Sequence, residues 1–217
     1  MRVLILHSII TQLPYTVRSQ NIQLHYDFGK NRQLLTSTTT MFKADNWGSS
    51  FFFIDFNYDK NKGNTVSFAY MEVSRALKFW DAPFAIQVEY DGGTSLNDAW
   101  LIGAQYTWNN PDFTRVFTIQ GLYKYIKDKH DATFQVTGVW GIQMLKGKVT
   151  FSGFADFWKE DNVFGTNETS FVFLSEPQLW YNITKNFSIG GEVEISNNFG
   201  GNEGFMVNPT IGLKWNF

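Results

Sequence analysis

The chain has 217 residues, of which 18% are aromatic (22 Phe, 9 Tyr, 8 Trp) and only 18% charged, with a net charge of -2. That is less charge than the ~25% of soluble domains, and no basic stripe is present to hold nucleic acid. The absence of cysteine excludes disulfides and thiolate metal sites. No run of ~18 apolar residues would make a membrane helix, and a mean hydropathy of -0.23 suits a chain in which only alternate residues meet lipid.

Residues 1–20 carry Arg2 and a short apolar core from Val3 to Ile10, interrupted by His7, with no small-x-small cleavage site. They read as a truncated or mis-started export leader, or as a short disordered or helical N-terminus. From there the pattern has period two, the mark of strands. Segment 21–28 puts Ile22, Leu24, Tyr26 and Phe28 on one face and Gln23, His25 and Asp27 on the other. Further strands are predicted over 34–45, 50–59, 65–77, 84–91, 99–108, 115–126, 132–145, 148–158, 170–183, 187–196 and 205–217. The Thr-rich segment 34–45 fits either face.

Twelve strands of about ten residues match the span of an antiparallel membrane strand. The expected fold is all-β, a 12-stranded antiparallel transmembrane up-and-down β-barrel over 21–217, with no second domain. Connections alternate between short (NWGS, KG, TKN) and long polar ones (GGTSLND, KEDNVFGTNET over 159–169, NNFGGNEG). With both termini periplasmic, the long ones fall outside the cell, although KFWDAP and NNPDFT are longer than such turns usually are. A soluble barrel or sandwich would show the same alternation with its apolar face inward. Trp100, Trp108, Trp140, Tyr181 and Trp215 near strand ends favour a membrane, where aromatic girdles belong.

The face rule nominates a lumen. In 50–59, Phe52, Ile54, Phe56 and Tyr58 form the lipid face, which turns Phe51, Phe53, Asp55 and Asn57 inward. In 65–77, Phe68, Tyr70, Glu72 and Ser74 point inward, and Arg75 points outward, tolerable only at the membrane edge. Asp27, Glu89, Asp156, Glu176, Gln178, Glu192 and Glu194 complete the inward set, with Lys124 and Lys214 as counter-charges. The acidic surplus favours neutral or cationic solutes. Rings beside carboxylates suit a planar base on a sugar, by stacking worth ~1–3 kcal/mol per ring and by accepting hydroxyl hydrogens. Phe51 and Phe53 would equally serve as packing that plugs the lumen.

Catalysis has little to build on. A lipid-cleaving barrel needs a Ser–His pair, and the histidines are His7, His25 and His130. His25 lies inward beside Asp27. Asp161, Asn162 and Glu168 are either solvated or hold a loop cation. No cofactor and no resident metal are expected.

The alternation of the last strand (Val207, Pro209, Ile211, Leu213, Trp215, Phe217) resembles the C-terminal signature of bacterial outer-membrane barrels. The resemblance implies recognition by the barrel-assembly machinery through a strand that closes the barrel against the first. WGSSFFFIDF (47–56) and FAYMEVSRAL (68–77) supply Trp47, Gly48, Phe51 to Phe53 and Asp55, then Tyr70, Glu72, Ser74 and Arg75. This set resembles the nucleoside-specific channels of Gram-negative outer membranes, the Tsx-like porins, and more closely a small related family found in Bacteroidetes. SEPQLWYN (175–182) is similar to that family's Pro-Gln-Leu-Trp segment. The resemblance covers most of 21–217. It implies a monomeric outer-membrane channel for facilitated diffusion of nucleosides, without a cofactor. It departs at Ser49, where relatives often carry Asp, so one polar anchor is lost. A structural or adhesive barrel and a lipid-modifying barrel enzyme are the alternatives.

Overall fold

A computed structural model describes residues 18–217 except 31, 60, 62–64 and 130–132. The bulk of the leader-like segment, with His7, and also His130 lie outside the described residues. The strands are β1 (Arg18–Asp27), β2 (Leu34–Asp45), β3 (Gly48–Tyr58), β4 (Phe68–Leu77), β5 (Phe84–Gly93) and β6 (Ala99–Asn109). They continue as β7 (Arg115–Ile126), β8 (Thr133–Met144), β9 (Val149–Phe164), β10 (Asn167–Ser175), β11 (Gln178–Asn182), β12 (Phe187–Asn197) and β13 (Phe205–Asn216). Each pairs antiparallel with its neighbours, and β13 closes the ring on β1, with Ile22 opposite Trp215 and Asp27 opposite Thr210.

β10 and β11 are two halves of one stave. Ser175 faces Ala155 and Gln178 faces Ser152, so the register on β9 carries through the break. On β12 it carries through as well, from Ile195 to Glu192. The interruption is at Glu176–Pro177, because proline has no N–H for the ladder. Opposite it, Gly153 adopts φ +155°, and a Cβ there would lie 2.5 Å from the Glu176 carbonyl oxygen. The barrel therefore has the twelve staves expected from the sequence.

The bounds of β2 and β7 coincide with the expected ones. The polar stretch 159–169 does not form the expected long loop. β9 runs on to Phe164 and β10 starts at Asn167, with Val163 opposite Glu168. A hairpin that projects beyond a bilayer is wet on both faces, so its side chains lose alternation while its backbone stays paired.

The barrel is inside out relative to a soluble protein. Ile22, Leu24, Ile86, Val88, Ile102, Ile119, Val136, Ile211 and Leu213 are exposed on its outer wall. The residues between them, including Gln23, His25, Gln87, Gln135, Thr137 and Lys214, are buried. This excludes the soluble reading, in which the apolar face would be the core. Trp100, Trp108, Tyr181 and Trp215 stand exposed on the outer wall, and Trp140 leans over Gly153. Arg75 does point outward at a strand end, where Asp45 accepts from both of its terminal nitrogens at 2.8 and 2.9 Å.

One end of the barrel carries the start of β1, the end of β13 and the turns 46–47, 78–83, 110–114, 145–148 and 183–186; the other carries the remaining connections. We call these the turn end and the loop end. In turn 110–114, Asp112 accepts the Thr114 hydroxyl and backbone N–H, which hold its carboxyl below the usual range. Toward the loop end the interior is packed. Ala99, Leu101, Leu122 and Ile126 form one buried patch. Trp158, Val172 and Leu174 form another, against which Phe199 packs. Arg32 enters from the β1–β2 connection and pairs with Asp27 at 3.0 Å and Glu194 at 2.8 Å.

Candidate functional site

From the turn end, a cavity of about 1810 Å³ runs into the barrel. Trp47, Phe79, Trp80 and Phe113 stand at its mouth, and Asp55, Glu72, Glu89, Asp156, Glu176 and Glu192 line it deeper in. Thr38, Thr40, Phe42 and Ala44 also line it, which fixes the face of β2 that the threonine run leaves open.

The two stretches 47–56 and 68–77 become one hairpin pair. Phe51 stands opposite Ser74, Phe53 opposite Glu72 and Asp55 opposite Tyr70. The rings of Phe51 and Phe53 are 6.0 Å apart, and those of Phe53 and Tyr70 5.8 Å. The Tyr70 hydroxyl donates to Glu72 Oε1 at 2.7 Å. Phe51 and Phe53 thus form part of the cavity wall, and the side chains packed together nearer the loop end are others.

The next pair extends the acidic wall. Glu72 faces Asp91 and Ser74 faces Glu89 across β4 and β5. Carboxylate oxygens of Glu72, Glu89 and Asp91 come within 4.8 Å of one another. Gln87 donates to Glu89 at 2.7 Å. The Lys124 ammonium is 3.7 Å from Asp91, donates to Gln135 at 2.7 Å and lies 4.6 Å from the centre of the Trp158 ring.

On the facing wall, Gln178 bridges Glu192 and the Trp180 indole N–H, at 2.5 and 2.9 Å. Lys214 lies over the Trp180 ring at 4.2 Å, with His25 edge-on to it at 5.5 Å. The His25 ring sits where a Cβ at Gly212 would be, 2.9 Å from Nδ1. Its nitrogens are hydrogen-bonded to Thr210 at 2.8 Å and Gln23 at 3.0 Å. Among the described residues, a threonine and a glutamine, not a serine, engage the two ring nitrogens. Glu176 lies within Coulombic reach of Asp55, Glu72 and Glu192 and so joins the two walls.

Of the residues nominated from the sequence, Phe51, Phe53, Asp55, Glu72, Glu89, Glu176, Gln178, Glu192 and Lys214 line the cavity. Tyr70 stands behind Glu72. Glu194 is drawn off toward the loop end, where Arg32, Asn208 and Ser196 hold it. Three residues that matter to the site escape the sequence reading: Asp91, Trp180 and Arg32. Asp91 shares the parity of Glu89, and Trp180 that of Gln178, so face alternation carries the signal for both. Arg32 lies in a connection, where parity gives no guidance.

Solved structures share this architecture. The KdgM porin in complex with disordered oligogalacturonate matches with a TM-score of 0.55 and 13% identity, over 92% of this chain and 99% of that one. The KdgM porin by itself gives 0.55 and 14% over the same shares. The NanC porin gives 0.61 and 14%, over 90% of this chain and 98% of that one. At these identities the likeness carries the fold, a closed antiparallel barrel of the outer-membrane porin kind. That fold and the apolar outer wall together make this a protein of the bacterial outer membrane. A search of the curated proteins gives no match. The family model described as "Domain of unknown function (DUF5020)" matches residues 19–217, and the chain belongs to that DUF5020 family.

Proposed function

We propose that the barrel is a monomeric outer-membrane channel for small neutral or cationic solutes, with nucleosides as the preferred class. The carrying observation is the cavity itself: ring faces of Phe51 and Phe53 stand beside the carboxylates of Asp55 and Glu72 on one wall. Rings accept a base by stacking, carboxylates accept sugar hydroxyls, and an acidic lining disfavours anions. Weak, repeated sites of this kind let a solute enter and leave without being trapped. The nucleoside preference rests on the motif resemblance of residues 47–56 and 68–77. The porin with oligogalacturonate binds an anionic sugar polymer, and the acid-rich wall here argues for a different solute. In this reading the turn end is periplasmic, the outer wall is solvated by lipid, and β13 with Phe217 is what the assembly machinery engages.

A second reading has its own observation. The packed side chains near the loop end, with the Arg32 latch, suit a barrel that admits solutes from the turn end and does not pass them. Titration of nucleosides into the refolded barrel, followed by calorimetry, tests the binding common to both. Saturable binding of nucleosides, with free ribose and amino acids inert, supports the preference. Equal or absent binding of all three removes it.

A further inference from the structure

We propose that Glu72, Glu89 and Asp91 form a calcium-binding site in the wall of the lumen. Ligand oxygens of the three come within 4.8 Å of one another. Two oxygens bound to one ion are separated by at most twice the metal–oxygen distance, about 5 Å for calcium and about 4 Å for magnesium. The three are thus close enough to converge on one ion, and an all-carboxylate set of irregular geometry suits the flexible oxygen coordination of calcium better than the strict octahedron of magnesium.

Charge points the same way. Among the described residues, Lys124 is the cation in contact with the group, 3.7 Å from Asp91. With a bound cation all three carboxyls are ionised, and against one ammonium they leave two negative charges, which one divalent ion balances. Buried like charges at this separation are costly when nothing neutralises them.

An independent observation concerns the oxygens that lack partners. Asp91 and Asp156 are 5% and 7% exposed, and Oδ1 of each is buried with no hydrogen-bond partner. Asp156 comes from β9 on another part of the wall, lines the same cavity and lies within Coulombic reach of Glu72 and Glu89. It is placed to add an outer carboxylate, directly or through water. Supporting contacts are already made: Tyr70 holds Glu72, Gln87 holds Glu89, and Lys124 is fixed by Gln135. Such outer contacts orient the oxygens that touch a metal.

The test is equilibrium binding of calcium to the full refolded barrel in detergent, with terbium as a luminescent stand-in excited through neighbouring tyrosine and tryptophan. Sensitised terbium emission that saturates at one ion per barrel and is displaced by calcium is expected. Glu72→Gln and Glu89→Gln should each weaken binding by at least about tenfold, whereas Glu203→Gln in the exposed β12–β13 connection should leave it unchanged. Circular dichroism confirms that each variant is folded. Emission that never saturates in the wild-type barrel, or that survives in both lumen variants, overturns the site. Because the readout is ion binding and not solute passage, it stands or falls separately from the channel reading.

Discussion

Phe53 and Glu72 stand opposite each other across β3 and β4, and Tyr70 ties the pair together, its ring 5.8 Å from Phe53 and its hydroxyl 2.7 Å from Glu72. A flat apolar surface and an acceptor of hydroxyl hydrogens are thereby held side by side on two neighbouring staves. If this is the base-and-sugar platform, Phe53→Ala loses one stacking surface. We expect nucleoside affinity to fall by ~1–3 kcal/mol in calorimetry, with Phe53→Tyr close to wild type. Asp55→Asn should weaken binding too, with less change in the folded yield than Phe53→Ala.

Gly48 is a structural requirement of the same hairpin. It has φ +132°, and a Cβ would stand 1.9 Å from the Ala76 carbonyl oxygen, in backbone that cannot yield without breaking the β3–β4 ladder. Gly48→Ala should destabilise the barrel by about 1–3 kcal/mol or more. Urea titration of the refolded protein, followed by tryptophan fluorescence, reads this directly, and an unchanged midpoint would mean that the hairpin is looser than described.

The Arg75–Asp45 pair is bidentate but lies at the rim, with 27% and 33% of its side chains exposed. Exposed ion pairs contribute ~0.2–1 kcal/mol. Arg75→Ala should therefore cost little stability in low salt and less still at 1 M salt, where screening is strong. A loss of several kcal/mol would show that the pair lies in lipid and not at its edge.

Phe217 is 72% exposed on the closing stave, and its N–H donates to Gln20 of β1 at 3.0 Å. Its ring contributes little to packing within the barrel, so Phe217→Ala should leave refolding in detergent unchanged. In cells the same variant should lower the amount of assembled, heat-modifiable barrel. Equal amounts in cells would remove the role of the ring in recognition by the assembly machinery.

Much of the fold is legible in the sequence because a membrane barrel writes its faces in alternate letters. β2 and β7 can be bounded to the residue, and the inward parity of Glu72, Glu89 and Glu192 follows from counting. What parity does not encode is register. That Glu72 meets Asp91 and Glu89, while Gln178 meets Glu192, depends on how far each stave slides past the next. The 159–169 hairpin hides for a different reason, since residues wet on both sides keep no alternation. Trp180 shares the inward parity of Gln178, but a rule that expects polar residues on the lumen face does not single out a tryptophan; it is fully buried beneath Lys214. Arg32 is invisible to pattern because a connection folds back to reach Asp27 and Glu194.

The measurement that bears most directly on the central claim is the single-channel conductance of the refolded barrel in a planar bilayer, under a salt gradient, with nucleosides titrated in. The account predicts a small cation-selective conductance, blocked saturably by nucleosides, whose selectivity falls in Glu176→Gln and Glu192→Gln. A correctly inserted barrel that passes no current, or one that prefers anions, would contradict it.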